Sequence, residues 1–324
     1  MERRQFLVSL AALAAQSGIS AAWAADWPQR PLRMVVSYPP GGSTDIAGRL
    51  LAAPLGTALG QQIVVDNRAG AGGTLGANNV VRAEPDGYTL LLGASPEISL
   101  VPVTMKNAPY DPGTDLMPIS LVGQVPFLLV VNPRLPVQNL QEFLAYARAN
   151  PGKLNYSSFG NNTSNHLNGE LFKSLGKFEA VHVPYKGSGP SIADLIGGQV
   201  QYTLDGPPAV LEHVRAGKLR ALAVASAQRL PAAPSVPTFA EAGLPNFVAG
   251  TWFGLLAPAR TPSTVIARLN REVVAALASP ELSKAFMDRN IIPSGNSPEA
   301  FERFIRAEID KWKRLAPTLG ISAE

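Results

Sequence analysis

The chain contains no cysteine. This excludes disulfides, thiolate metal sites, iron–sulfur clusters and a cysteine nucleophile. It also lacks any Lys/Arg run longer than two residues, although Lys and Arg number 28 against 24 acidic residues and the pI is near 9.4. A nucleic-acid surface would gather its cations into a patch or stripe, so no nucleic acid is expected as a partner. The mild basicity is read as an aid in attracting anions. No dinucleotide fingerprint is intact, because Gly70-x-Gly72 is followed by Leu75 where a third glycine belongs. No P-loop is present, and Ser188 between Gly187 and Gly189 lacks the Gly-x-Ser-x-Gly elbow. The three histidines, His166, His182 and His213, show no metal-ligand spacing. Neither a metal nor a cofactor is expected.

What is present is a folded composition: 324 residues, 46% hydrophobic and 16% charged. That length favours two domains, and a core of this size needs no staple. Gly and Pro, 29 each, point to many sharp loops.

The first residues read as an address. Arg3 and Arg4 form a positive start, Phe6 to Ala15 an apolar core, and Ala22-Trp23-Ala24 a small-x-small cleavage site. The apolar core is well short of the roughly 20 residues a membrane span needs. Arg3-Arg4-Gln5-Phe6-Leu7 also resembles a twin-arginine signal, and a short basic start fits both export routes. Residues 1–24 are therefore expected to be a signal peptide cleaved near Ala24, with the mature protein outside the cytoplasm. No cysteine follows to carry a lipid.

Beyond it, strand and helix alternate. Leu32 to Ser37, Ile63 to Val65 and Tyr88 to Leu92 read as buried strands, with helices between them from Ser43 or Thr44 and from Gly76 to Ala83. Ser43 or Thr44 is expected to cap the first of these helices, and Pro54 to kink it. A second set holds strands at Phe127 to Val131, Lys153 to Ser157, Val181 to Tyr185, Val200 to Leu204 and Leu219 to Ala225. Its helices run from Asn139 to Arg148, through Leu167 to Leu175, and from Pro190. Leu230 to Pro237 reads as a linker and Trp252 to Ala257 as a returning strand. Three helices follow, near Pro262–Ala278, Pro280–Arg289 and Pro298–Ala316, with Phe301, Phe304 and Trp312 in the core. This rhythm implies α/β architecture with mainly parallel sheets. Two crossings, near Gly123–Val131 and Ala249–Ala257, divide the mature chain into lobes of residues 25–124 plus 250–324 and 125–249.

Two loops have one layout. Gly41-Gly42-Ser43-Thr44-Asp45 and Gly160-Asn161-Asn162-Thr163-Ser164 each leave a strand and open a helix. Backbone N–H groups there have no helical partner, glycine permits close approach, and the dipole favours an anion. Two such mouths facing each other would grip a small anion at both ends. Asp45 suits a helix start and could orient its loop. Asp205, before Gly206-Pro207-Pro208, is a turn residue or a contact to ligand or water. Lys186 reads as a solvated loop charge.

Ordered motifs along the mature chain resemble the tripartite tricarboxylate transporter receptor family, the Bug-type extracytoplasmic solute receptors. They are Tyr38-Pro39-Pro40-Gly41-Gly42-Ser43-Thr44-Asp45, Val65-Asp66-Asn67-Arg68-Ala69-Gly70, Pro85-Asp86-Gly87-Tyr88, Tyr110-Asp111-Pro112, Gly160-Asn161-Asn162-Thr163-Ser164-Asn165-His166, Val183-Pro184-Tyr185-Lys186-Gly187 and Pro237-Thr238-Phe239-Ala240-Glu241-Ala242-Gly243. The resemblance implies a type II periplasmic-binding-protein-like fold with a cleft between two α/β lobes. It implies carboxylate ligands held by backbone amides and waters, and delivery to membrane transporter subunits. The implied binding loops fall on Tyr38, Gly41, Gly42, Ser43, Thr44 and Asp45, on the loop after Gly93 with Ser95, and on Gly160, Asn161, Asn162, Thr163 and Ser164; Asp205 is added from its place at a strand end. Two departures stand out: Tyr38 where relatives often carry phenylalanine, and Pro96-Glu97 in the second loop. Glu97 beside a carboxylate would repel it, or accept an amine. The expected protein is a monomeric periplasmic receptor, with no bond made or broken. The alternatives are a periplasmic hydrolase or isomerase in the same cleft, and a ligand-presenting subunit for a sensor kinase.

Overall fold

A computed structural model describes residues 27–321. The expected export signal and its cleavage point lie outside the described residues. Among the described residues, no helix is long and apolar enough to cross a membrane.

The first sheet has six strands: β1 (Leu32–Val36), β2 (Ile63–Asn67), β3 (Thr89–Ala94), β4 (Leu116–Pro126), β10 (Gly250–Pro258) and β11 (Ile292–Pro293), in the order β11-β4-β10-β3-β1-β2. The second has five: β5 (Leu128–Val131), β6 (Asn155–Ser158), β7 (Val181–Pro184), β8 (Tyr202–Asp205) and β9 (Arg220–Val224), ordered β7-β6-β8-β5-β9. Parallel pairing holds for β2-β1-β3 and for β7-β6-β8, as the alternating pattern of strand and helix implies. Both sheets are mixed as wholes. The strands that carry the chain across, β4, β5 and β10, pair antiparallel with their neighbours.

The end of β4, from Gly123, falls in the expected crossing, but its earlier part, from Leu116, was not anticipated. The strand contains Pro118 and ends in Pro126, and proline cannot donate to a ladder. The β10 partner absorbs this with register shifts at Phe253/Gly254 and Leu255/Leu256, the second lying beside the Pro118 pair.

Helices α1 (Ser43–Leu59), α2 (Thr74–Val81) and α3 (Val101–Thr104) belong to the first half of the chain; a π-turn, Pro96–Leu100, leads into α3. Helices α4 (Leu140–Ala149), α5 (Ser164–Gly176), α6 (Ser188–Gly197) and α7 (Pro207–Arg215) accompany the second sheet. The chain ends with α8 (Ser263–Ala278), α9 (Pro280–Asp288) and α10 (Pro298–Thr318). Helix α1 continues through Pro54. Helix α6 begins at Ser188 rather than Pro190. All of the first four helical N–H groups lack partners, so proline at the third position is tolerated too. The unanticipated α7 starts at Pro207, where proline is also favourable.

The apolar spacing of these helices becomes core. Met34, Leu51, Leu55, Leu92 and Leu269 form one cluster under α1 and α8. Val35, Leu91, Leu256 and Phe301 form another on the opposite face. Phe143, Phe172, Tyr202 and Phe247 fill the second half, and Trp312 from α10 joins them. Phe301 and Trp312 are buried as expected, and Phe304 packs partly buried against the cluster around Phe301.

Helix α4 shows a capping arrangement legible in its sequence. Asn139 accepts from the N–H of Glu142 at 2.9 Å, and the Glu142 carboxylate accepts from the N–H of Gln138 at 2.7 Å. Asn139→Ala should cost about 1 kcal/mol, read as a lower urea midpoint with unchanged slope. An unchanged midpoint would refute the role given to this cap.

Candidate functional site

In parallel sheets the loops after strand ends gather on one side, and here those after β1, β3, β6 and β8 carry the candidate residues. The loop after β1 is held from within. Asp45 is buried, and its Oδ2 accepts from the N–H of Gly41 at 2.9 Å and from Arg49 Nε at 3.0 Å. Its Oδ1 accepts from Asn67 Nδ2 at 2.9 Å, and the same amide nitrogen donates to the Tyr38 carbonyl at 3.0 Å. Desolvation alone would raise the Asp45 pKa. The hydrogen bonds from Arg49, Gly41 and Asn67 outweigh it and hold the carboxyl below its usual range. Asp45 therefore orients this loop. Gly41 turns it at φ +86°, a conformation that favours glycine.

Neither Ser43 nor Thr44 caps α1. Gly42 occupies the cap position, Ser43 is the first helical residue, and no side chain accepts from the helix start. Helix α5 has the same feature: Thr163 is at its cap position and makes no side-chain cap bond. Its hydroxyl donates instead within the loop, with partners at the Gly160 carbonyl (2.7 Å) and Asn165 Oδ1 (2.8 Å). Both helix mouths thus keep main-chain donors that no capping side chain has taken.

The two histidines near the second loop were assigned to separate elements, and folding stacks them. The rings of His166 and His182 lie 4.0 Å apart and 13° from parallel. His166 Nδ1 accepts from the N–H of Asn162, which sits at φ +60°. His182 Nε2 lies 2.6 Å from Ser158 Oγ, which in turn accepts from the Gly160 N–H at 3.1 Å. Burial first, and then the nearby His166, push the His182 pKa down to about 4. Among the described residues, no group of three His, Asp or Glu side chains could hold a metal.

Glu97 does not face the opening. It is fully buried; Oε1 accepts from the Ala94 N–H at 2.8 Å and Oε2 from the Tyr38 hydroxyl at 2.7 Å. The Tyr38 hydroxyl also lies 3.2 Å from the Gly72 carbonyl. Tyr38 and Glu97, the two departures noted in the sequence, are therefore one hydrogen-bonded pair tying three loops together. The expectation that Glu97 would repel an acid or accept an amine is corrected: both its oxygens are spent internally. Desolvation pushes its pKa up to about 7, against the opposing hydrogen bonds from the Ala94 N–H and the Tyr38 hydroxyl.

Asp205 is equally buried. It accepts from Ser188 Oγ and from the Gly206 N–H, each at 2.6 Å, and desolvation pushes it up to about 7. Lys186 is exposed. Asn161 and Asn162 lie on the loop between β6 and α5.

The two halves meet at Ser95. Its Oγ lies 3.0 Å from Ser164 Oγ, the first residue of α5, and 3.1 Å from Thr251 Oγ1 on β10. The structure thus joins the loop after β3 directly to the mouth of α5. The loops Tyr38–Asp45 and Gly160–Thr163 are each fixed from their own half.

A family model described as "Tripartite tricarboxylate transporter family receptor" matches residues 47–321. The chain belongs to this receptor family. It is 42% identical over 322 residues to Protein BugT of Bordetella pertussis, covering 99% of each chain. A solved structure of R. palustris Rpa4515 with adipate superposes with TM-score 0.83 at 38% identity, over 92% of this chain and 100% of that one. MatC from Rhodopseudomonas palustris with bound malate gives TM-score 0.77 at 34% identity, over 89% and 99%.

Several residues that shape the receptor's loops escaped sequence reasoning. Asn67 stood inside a quoted motif, but its bonds to Asp45 and Tyr38 depend on β1 and β2 lying side by side. Thr251 carried no signal. His166 stood in a quoted motif and His182 in an expected strand, but nothing in either placed the two rings together. The Tyr110 hydroxyl, which donates to the Glu97 carbonyl at 2.8 Å, was recorded only as part of a motif.

Proposed function

We propose that this receptor captures a small carboxylate in the periplasm, between the loops of its two halves, and hands it unchanged to membrane subunits of a tripartite tricarboxylate-type transporter. The carrying observation is the pair of uncapped helix mouths at Ser43 and Ser164, with Ser95 joining the halves. Main-chain donors at a helix start suit an anion without a buried cation. The relatives solved with adipate and malate support the choice of ligand class.

In this reading the ligand is held by Tyr38, Gly41, Gly42, Ser43, Thr44, Ser95, Gly160, Asn161, Asn162, Thr163 and Ser164, while Asp45 and Asp205 fix the loops on either side. The lobes are residues 25–124 with 250–324, and 125–249, and they close by bending at the crossings. The protein acts as a monomer after export and removal of residues 1–24. Micromolar affinity is about 8 kcal/mol. Hydrogen bonds to a charged group contribute about 1.5–3 kcal/mol each, so a few per carboxylate reach that range after ordering costs.

A thermal-shift panel of dicarboxylates, aromatic acids, acidic amino acids and an uncharged sugar tests this. An acid at about 100 times its Kd should add about 2.7 kcal/mol of apparent stability, at about 2–4 °C per kcal/mol for this size. A shift by the sugar and by no acid would refute the proposal, and chemical conversion of a bound acid would make the protein an enzyme.

A further inference from the structure

Stacked rings form a pile through the second half of the molecule that ends at the loop between β6 and α5. Tyr202 of β8 stacks on Tyr156 of β6 with ring centres 5.5 Å apart, Tyr156 on His182 of β7 at 4.9 Å, and His182 on His166 of α5 at 4.0 Å. Both tyrosines are buried, so the core fixes the inner end of the pile. Its outer end holds the loop at two points. The Gly160 N–H donates to Ser158 Oγ at 3.1 Å, and that oxygen lies 2.6 Å from His182 Nε2. The Asn162 N–H donates to His166 Nδ1 at 3.1 Å. Asn162 has φ +60°, a left-handed conformation uncommon outside glycine, which persists where the surroundings fix it. The N–H groups of Asn161, Thr163 and Ser164, on either side of it, have no hydrogen-bond partner among the described residues.

We propose that His166 is a positioning residue of this receptor: its neutral ring, carried by the pile, holds Asn162 in the left-handed conformation and so aims the unpaired N–H groups of Asn161, Thr163 and Ser164 at the captured carboxylate. The inference rests on the receptor reading above and deepens it, because it names a group that acts on the ligand through the loop and not by contact. A ring nitrogen accepts a hydrogen bond only while it carries no proton. Nδ1 of His166 is therefore bare, and the proton of the ring sits on Nε2. A proton on Nδ1 would set donor against donor at the Asn162 N–H, and would charge a ring that lies 4.0 Å from a second imidazole. The charged side chains acting on His182 are Glu170 and Lys173. They pair with each other at 2.7 Å, and Glu170 also accepts from the Tyr156 hydroxyl at 2.6 Å, so this carboxylate is committed to partners other than the two imidazoles. Without the bond to His166 the loop is free to leave its conformation and must be ordered again whenever a ligand binds, which lowers affinity.

Calorimetry with adipate and malate on the wild type, His166→Leu and His166→Asn tests the proposal, with the strongest acid of the thermal-shift panel in their place if neither binds. Leucine removes the acceptor. Asparagine carries Oδ1 two bonds from Cβ, where histidine carries Nδ1, and can accept from the same N–H. His166→Leu should lose about 2- to 12-fold in affinity, the worth of one hydrogen bond, and His166→Asn should recover most of it. Nitrogen-15 spectra of the histidine-labelled wild type at about pH 8, above the usual imidazole range, should show His166 with its proton on Nε2 and none on Nδ1. Unchanged affinity in His166→Leu, an equal loss in both variants, or a proton on Nδ1 would each overturn the proposal. Where His166→Leu does not fold, affinity close to wild type in His166→Asn together with the spectrum carries the test, and a lost affinity in His166→Asn overturns it. All of these outcomes leave the receptor reading intact, because the wild type still binds an acid. Failure of every acid alongside binding of a neutral sugar would remove the receptor reading and this inference with it.

Discussion

Glu97→Gln is expected to make the receptor more stable at pH 8 and to change it little at pH 4. The Glu97 carboxyl is fully buried, and desolvation raises its pKa from 4.5 to about 7. The folded state therefore holds a proton that the unfolded state releases above about pH 4.5. With more protons bound in the folded state, stability falls as pH rises through that window and levels off above about pH 7. At about 1.4 kcal/mol per pKa unit, the cost at pH 8 is about 3 kcal/mol. Glutamine keeps an acceptor for the Ala94 N–H, and its amide can donate to the Tyr38 oxygen, whose proton can turn to the Gly72 carbonyl 3.2 Å away. Asp205→Asn should act in the same direction for the same reason, since desolvation also lifts Asp205 to about 7. The two sites belong to different halves, so their effects should add. Urea midpoints at pH 4 and pH 8 measure this. A Gln variant that loses equal stability at both pH values would show that the Tyr38 bond, not the desolvated charge, dominates at this position.

Such an effect was invisible in the sequence, and the reason is instructive. Period and composition report what a segment does with its neighbours in the chain. The β1, β3 and β6 strands and the α1, α4, α8 and α10 helices were legible because their apolar residues recur at the right spacing and because Gly, Pro and Asn mark their ends. The layout of the loops after β1 and β6 was legible because strand, glycine, small polar residues and helix follow one another directly. Glu97 differs: whether it faces the opening or the interior depends on the π-turn Pro96–Leu100, which carries it back under Tyr38. The stacked histidines are likewise brought together from α5 and β7, a side-chain meeting that no local pattern announces. The first part of β4 was hidden by Pro118, which argues against a central strand until the shifted register of β10 is known. Local signals thus locate the loops, and tertiary packing decides which side chains inside them face a ligand.

Ser43→Pro is expected to weaken ligand binding about 10- to 150-fold without unfolding the first half of the molecule, and it separates loop position from loop chemistry. Ser43 is the first residue of α1, where the missing N–H costs the helix nothing and the fixed φ is already suitable. The preceding Gly42 has φ −74° and ψ 164°, the extended conformation that a following proline requires. The backbone should therefore accept the change, and Asp45 should keep its bonds to Gly41, Arg49 and Asn67. What disappears is one main-chain donor and one hydroxyl at the helix mouth. A hydrogen bond to a charged carboxylate contributes about 1.5–3 kcal/mol, which sets the range given. Ser43→Ala removes the hydroxyl alone, so calorimetry on both variants with the acid that gives the largest thermal shift assigns the loss to one group or the other. An affinity unchanged by Ser43→Pro, with the melting midpoint also unchanged, would move the anion away from the mouth of α1. The grip would then have to come from the α5 side, where Ser164 and its partner Ser95 already link the two halves.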